Sequence, residues 1–437
     1  MKIYLMLFFL LIICFPAFCY IDPGTGSMLL YAIVGISAAL LFAFKGYFYK
    51  LRSKITGKGY SLDSDLSEYD FVFYSESKVY WNVFCPVLEN LDKYGKKCIY
   101  LTSSNDDAGL SYKADNIKSK YIGEGVKAAT YLNNVKADIL IMTTPQLDVL
   151  TLKKSKKVKH YSYIFHAPTD VGIYAKFAFD NFDSVLCVGN HQVGNIREFE
   201  KKRNTIPKKL FETGYPYYDV LLKKEHLMRL DKPAITLAVS SGQEKNQKPV
   251  VLVAPTWGSN GLLARFGFNI LKPLLTEKYK VILRPHPQMY ISQKKLIEEI
   301  KEESKNYPNL VWDEKPSGED SMNESDILMS DLSGIIFDYS FVYKKPVISI
   351  DAPVISAGLE LEDMNQDELW ELNVRGKLGK LVKEEEISSL PACVEDLLAS
   401  FNKENIENII NESIYNFGNA GDVAAKQLIG IKENLGR

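Results

Sequence analysis

From about residue 68 to residue 350 the 437-residue chain alternates short apolar runs with longer amphipathic stretches. A run too short for a buried helix, followed by a helical period, is the mark of βαβ units, in which each strand is followed by a crossover and pairs in parallel. A parallel sheet has to be covered on both faces, so the pattern excludes a helical bundle and an antiparallel sandwich. In a first series, strands are predicted at 69–75, 97–102, 139–143, 160–165 and 184–188, with helical patterns at 80–94 and 191–201. A second series has strands at 249–254, 280–285, 310–312, 327–330 and 346–350, and helices at 262–278, 292–306 and 334–343. Between them, residues 231–248 are polar and lose the period around Ser240-Ser241-Gly242-Gln243, which reads as a linker. The tail from Glu384 reads as helical and amphipathic.

Two α/β domains follow, at 66–230 and 249–437, arranged as two Rossmann-like halves (a GT-B layout) with strand carboxyl ends facing a shared cleft. Open parallel sheets bind ligands at those ends. No GxGxxG follows the first strand and no GxxxxGK[ST] occurs, so NAD and P-loop chemistry lack their main signals. With 53 Lys+Arg against 54 Asp+Glu, the net charge of −1 supplies no excess cation for a nucleic acid. Hydrophobic residues at 46% and charged residues at 24% exclude a disordered or coiled-coil chain. The six cysteines show neither CxxC nor Cys/His spacing, which argues against a zinc module and a disulfide framework. No metal and no cofactor are predicted.

Residues 1–58 are predicted to target the membrane. An apolar run at 3–19, behind Lys2, resembles a signal-peptide core. After a break containing Asp22-Pro23-Gly24-Thr25-Gly26-Ser27, a second run at 28–44 is about long enough to cross a bilayer. The first run is either cleaved or kept as half of a helical hairpin. Lys45, Lys50, Arg52, Lys54 and Lys58 follow the second run, and short cationic segments stay inside. The body is therefore expected on the cytoplasmic face of the inner membrane.

Three strand-end segments carry chemistry. Arg284-Pro285-His286-Pro287 closes an apolar strand, and its two prolines lock the turn. A guanidinium beside an imidazole suits a diphosphate, although a rigid structural turn would look the same. Asp331-Leu332-Ser333-Gly334 opens a helix that carries Asp338, and such a terminus either cradles a phosphate or is simply capped. Phe165-His166-Ala167-Pro168-Thr169-Asp170 ends a first-half strand; there His166 would take a proton from an acceptor hydroxyl and Asp170 would orient it. His160, His191 and His226 read as surface or helix residues. Gly214-Tyr215-Pro216 and Ala254-Pro255-Thr256-Trp257-Gly258 either line the cleft or end strands. Asp63-Ser64-Asp65 reads as a solvated polar stretch.

Phe165-His166, Gly214-Tyr215-Pro216, Ala254-Pro255-Thr256-Trp257, Arg284-Pro285-His286-Pro287 and Ser330-Asp331-Leu332-Ser333-Gly334-Ile335-Ile336-Phe337-Asp338-Tyr339, in this order, resemble the CDP-glycerol glycerophosphotransferase family of teichoic-acid-type polymer synthesis. The likeness spans about residues 160–350. It implies a membrane-associated transferase moving glycerol phosphate, or a related polyol phosphate, from a CDP-activated donor to a hydroxyl of a membrane-linked glycan, with CMP released. By position it makes His166 and His286 catalytic and assigns donor binding to Arg284, Ser330, Asp331, Ser333 and Asp338. Asp170, Thr256 and Trp257 would line the cleft. Three places depart from the family pattern: Ala167-Pro168-Thr169 after the histidine, Gly258 in place of an Arg, and Gly334 in place of a Ser. A nucleotide-sugar transferase or epimerase, and an inactive membrane-tethered binding protein, fit the same layout.

Overall fold

The structure, a computed structural model, describes residues 65–230 and 248–436, apart from 316 and 355. The predicted membrane-targeting runs and nearly all of the linker lie outside the described residues. Among the described residues no helix is long and apolar enough to cross a membrane.

The first sheet has seven parallel strands: β1 (Phe71–Ser75), β2 (Cys98–Thr102), β3 (Ile117–Tyr121), β4 (Ala137–Met142), β5 (Val158–Ile164), β6 (Ser184–Cys187) and β7 (Lys209–Glu212). Their order is β3-β2-β1-β4-β5-β6-β7, with Val72 beside Leu140 and Phe73 beside Ile141 where the winding reverses. β1 and β2 are buried at every position, as expected of central strands covered on both faces. The second sheet is formed by β8 (Val250–Val253), β9 (Lys280–Leu283), β10 (Leu310–Trp312), β11 (Ile327–Ser330), β12 (Val347–Ile350) and β13 (Gly379–Val382). It runs β10-β9-β8-β11-β12-β13, and its reversal lies between β8 and β11. Each sheet thus has a crevice at the carboxyl ends flanking its reversal point, where doubly wound sheets bind ligands.

β3, β7 and β13 escape the sequence pattern. All three are outermost strands; β3 (IKSKY) leaves Lys118 and Lys120 exposed and Ser119 half-buried, so no continuous apolar run marks it. The helix predicted at 262–278 is instead a short helix, Leu262–Phe266, followed by 3-10 turns at Gly267–Ile270 and Lys272–Leu274. Gly267, at φ +57°, ends the helix, and Pro273 falls inside the second turn. The helix Ile335–Tyr343, read as amphipathic, buries seven of its nine residues. It lies between the halves, and Ile336, Phe337, Tyr339 and Phe341 join the first half's hydrophobic core.

The last helices return to the first half. Helix Ala420–Leu435 packs on helix Trp81–Lys93. A Cβ on Gly421 would lie 2.6 Å from Pro86 Cβ, so glycine permits the close approach. Asp219 accepts from the amides of Ala420 (3.0 Å) and Gly421 (2.7 Å), capping that helix. Gly214, at φ +88°, turns the chain where a Cβ would meet the Tyr415 carbonyl at 2.2 Å. The Gly214-to-Asp219 segment therefore anchors the tail.

Candidate active site

The second sheet's wall is built around Asp331, which is fully buried at the end of β11. Its Oδ1 accepts from the Thr256 amide (2.8 Å) and its Oδ2 from the Leu262 amide (2.7 Å). The carboxylate thus holds both ends of the loop following β8. Burial pushes its pKa up, while the two amides pull it down. Ser330 Oγ donates to the Ala254 carbonyl at 2.6 Å. Ser330 and Asp331 therefore face backbone and present Thr256, Trp257 and Ser333 to the cleft. Gly258 has φ +98°, and the side chain of Gln293 bonds both its amide (3.0 Å) and its carbonyl (3.2 Å). A left-handed residue pinned on both sides accounts for glycine where the family pattern has Arg.

Arg284 and His286 diverge. Arg284 Nη1 donates to Asp313 Oδ2 (2.8 Å) and to the Lys315 carbonyl (3.0 Å), fixing the turn after β9 against the turn after β10. His286 is exposed, and its ring lies 6.3 Å from that of Trp257. Its Nδ1 accepts from the Gln288 amide at 3.1 Å, so the hydrogen of the neutral ring sits on Nε2. Although the side chain reaches solvent, partial desolvation of the ring by the packed turn, and then the Arg284 charge, lower its pKa and favour the neutral form near pH 7.

The first sheet's wall is aromatic. The His166 ring lies 4.7 Å from that of Tyr80 and 5.5 Å from that of Tyr174, and the Tyr215 hydroxyl donates to the His166 carbonyl at 2.7 Å. His166 Nδ1 is buried without a hydrogen-bond partner, and burial depresses the imidazole to about 4, with only a partial offset from the Thr143 backbone. Asp170 does not hydrogen-bond His166, contrary to the sequence expectation. Its Oδ2 accepts from the Glu371 amide (2.7 Å), and Asn195, with its amide group turned to donate, reaches Oδ1 at 3.0 Å. Asp170, pushed up to about 6 by burial, thus joins the first half to helix Trp370–Arg375. Of the other histidines, His160 is buried in β5 with Nε2 2.8 Å from Ser184 Oγ, while His226 is exposed on a helix. His191 stacks on Trp370 at 4.3 Å.

Between the walls lies a cavity of about 350 Å³. The first half contributes Thr169, Gly172 and Ile173, a few residues beyond His166; the second contributes Thr256, Trp257, Ser333 and Gly334. The structure thus brings Thr256, Trp257 and Ser333 into one cavity. It sets His286 beside the Trp257 rim, Ser330 and Asp331 beneath the floor, and Arg284 on Asp313. Asp338 lies in the first turn of helix Ile335–Tyr343, with Oδ1 buried and unpartnered; burial raises it to about 7. The sequence reading missed Glu371 and Arg375, which also line the cavity. They lie between β12 and β13 in a segment without a motif; the one available signal was a Glu and an Arg spaced four apart among apolar neighbours. Glu371 is pushed up to about 8, first by burial and then by the Asp170 charge. Among the described residues no group of three or more His, Cys, Asp or Glu is placed to hold a metal ion.

Comparison with known proteins bears on the family and the fold. A family model described as CDP-Glycerol:Poly(glycerophosphate) glycerophosphotransferase matches residues 127–352, just over half of the chain. No curated protein matches the sequence. Among solved structures, the wall teichoic acid polymerase TagF aligns with a TM-score of 0.55 at 16% identity, over 96% of this chain and 100% of that one. A TagF variant with CDPG gives 0.57 at 16% identity, over 93% and 98%. UDP-GlcNAc 2-epimerase from Neisseria meningitidis, bound to UDP-GlcNAc, gives 0.50 at 14% identity, over 83% and 99%. These structural likenesses establish the two-sheet fold.

Proposed function

The chain belongs to the CDP-glycerol:poly(glycerophosphate) glycerophosphotransferase family, and on that premise we propose that it moves glycerol phosphate, or a related polyol phosphate, from a CDP-activated donor to a hydroxyl of a membrane-linked glycan or polymer, releasing CMP. The observation that carries this reading is the cavity lined by both sheets. One wall holds Ser333 and the amino end of helix Ile335–Tyr343; the Ile336 and Phe337 amides there donate to the Ser333 and Gly334 carbonyls, and the positive end of the helix dipole is what favours a phosphate. The opposite wall begins three residues after His166.

In this mechanism the acceptor oxygen attacks the donor's β-phosphorus in line. A P–O bond forms to the acceptor as the bond to the bridging oxygen breaks, and that electron pair leaves with CMP. His166, neutral at pH 7 because burial holds it to about 4, takes the hydroxyl proton. His286 acts as a fixed Nε2–H donor to a phosphate oxygen; its Nδ1 is already occupied by the Gln288 amide, so it stabilises charge rather than delivering a proton. Arg284 fixes the His286 turn and adds positive potential. Ser333 and Asp338 bind the donor, Asp338 through the unpartnered oxygen it offers to a donor hydroxyl. Ser330 and Asp331 hold the loop that carries Thr256 and Trp257. The cationic segment from Lys45 to Lys58 supports a cytoplasmic body on the inner membrane.

The test offers purified full-length protein CDP-glycerol, CDP-ribitol and UDP-sugars with a glycerol-phosphate primer, and follows nucleotide release. CMP from a CDP-polyol is expected, with His166→Ala and His286→Ala each about a hundredfold or more slower. Consumption of UDP-sugars alone would favour the epimerase or sugar-transferase reading, and donor binding without turnover a binding protein. In intact cells, external protease should leave the body uncut; digestion from outside would refute the orientation.

A further inference from the structure

We infer that Arg375, which no motif marks, is a phosphate-binding residue of the cleft. It lines the cavity yet is only 3% exposed. Nη2 pairs with Asp351 Oδ1 at 3.2 Å, whereas Nε and Nη1 are buried with no hydrogen-bond partner. Among the described residues Asp351 is the one carboxylate at ion-pair distance from it, and the Asp351 side chain is 49% exposed. Buried N–H groups of a charged donor are costly to leave unpaired, so a native protein keeps them for something that arrives. Glu371, one turn earlier on the same helix, is pushed up to about 8, first by burial and then by the Asp170 charge, with a partial offset from Arg375, so near pH 7 it adds no full second negative charge beside the guanidinium that Asp351 already pairs.

Another wall of the same cavity carries Ser333, Gly334 and the start of the nine-residue helix Ile335–Tyr343, the positive end of its dipole. Two independent positive features therefore converge on one space whose other walls include Leu332, Phe337 and Leu369. The chemistry that satisfies both is a phosphate oxygen. This deepens the proposed function and rests on it only for the source of the phosphate: the donor's diphosphate or a phosphodiester of the acceptor.

The test measures binding of inorganic pyrophosphate and of CDP-glycerol to the full chain, and KM for a poly(glycerol phosphate) primer, in the wild type, Arg375→Lys, Arg375→Met and Asp351→Asn. The last removes the same ion pair but keeps the guanidinium, and should bind pyrophosphate as the wild type does. Loss of the cation should weaken pyrophosphate and CDP-glycerol by about tenfold or more if the donor is the source. Unchanged donor binding with a primer KM raised about tenfold at constant kcat identifies the acceptor instead. A folded Arg375→Met protein with none of these changes overturns the proposal. If that variant does not fold, wild-type crystals soaked in pyrophosphate decide: density within hydrogen-bond distance of Nε or Nη1 supports the assignment, and its absence there overturns it. Failure of the wild type to consume CDP-glycerol would sink the proposed function while the pyrophosphate result still reads on Arg375.

Discussion

Asp331 and Asp338 stand seven residues apart, and their surroundings give them opposite tasks. Asp331 has both oxygens bonded to amides and acts as scaffold, whereas Asp338 keeps one oxygen buried without a partner. Burial lifts Asp338 from 3.8 to about 7, so across that interval the folded state holds a proton that the unfolded chain has released. Its contribution to stability is therefore intact below about pH 4 and is lost as pH rises through about 7. Asp338→Asn, which cannot ionise, should gain thermal stability relative to the wild type between about pH 5 and about pH 8 while losing turnover. A Tm difference independent of pH would show that Asp338 ionises freely in the folded protein. The residue types of the site were readable in the sequence, but their directions were not. Ser330, Asp331 and Asp170 belong to recognisable strand ends, yet each bonds backbone. Whether a side chain at a strand end faces ligand or scaffold is decided by neighbours distant in sequence, such as Thr256 for Asp331 and Glu371 for Asp170.

At the scale of elements, every central strand is legible in the sequence, whereas of the four edge strands only β10 is. β1 and β2 are continuous apolar runs because helices cover both faces, while β3 alternates isoleucine, lysine and serine because it is an edge. Helix Ile335–Tyr343 was legible as a helix but not as one enclosed by both halves, since enclosure depends on the tail helices that reach it from the far end of the chain. The contact of helix Ala420–Leu435 with helix Trp81–Lys93 tests that arrangement. A side chain at Gly421 meets Pro86 at 2.6 Å and the Pro86 backbone at 2.8 Å, neither of which can swing aside. Gly421→Val should cost about 1–3 kcal/mol, the usual penalty of overpacking, and expose the tail to limited proteolysis. Unchanged stability with a protected tail would mean that the two helices are not locked at this point.

At the scale of the molecule, two sheets share the same winding, each reversing once, and the cavity lies where carboxyl ends of both converge. The two-sheet plan and its cleft were readable because βαβ alternation fixes both parallel pairing and the end at which ligands bind. The stretch matched by the family model carries both histidines and most of the cavity's polar lining, but it ends before Glu371 and Arg375. Those two residues close the cavity from a segment outside the matched stretch. In the proposed reaction a glycerol phosphate unit moves intact, with cleavage on the nucleotide side of the β-phosphorus. The most direct measurement gives the full-length protein CDP-glycerol labelled with ³²P at the β position, together with a glycerol-phosphate primer. The label is predicted to pass into the primer and to leave unlabelled CMP; label retained in CDP, with glycerol alone transferred or released, would contradict the account.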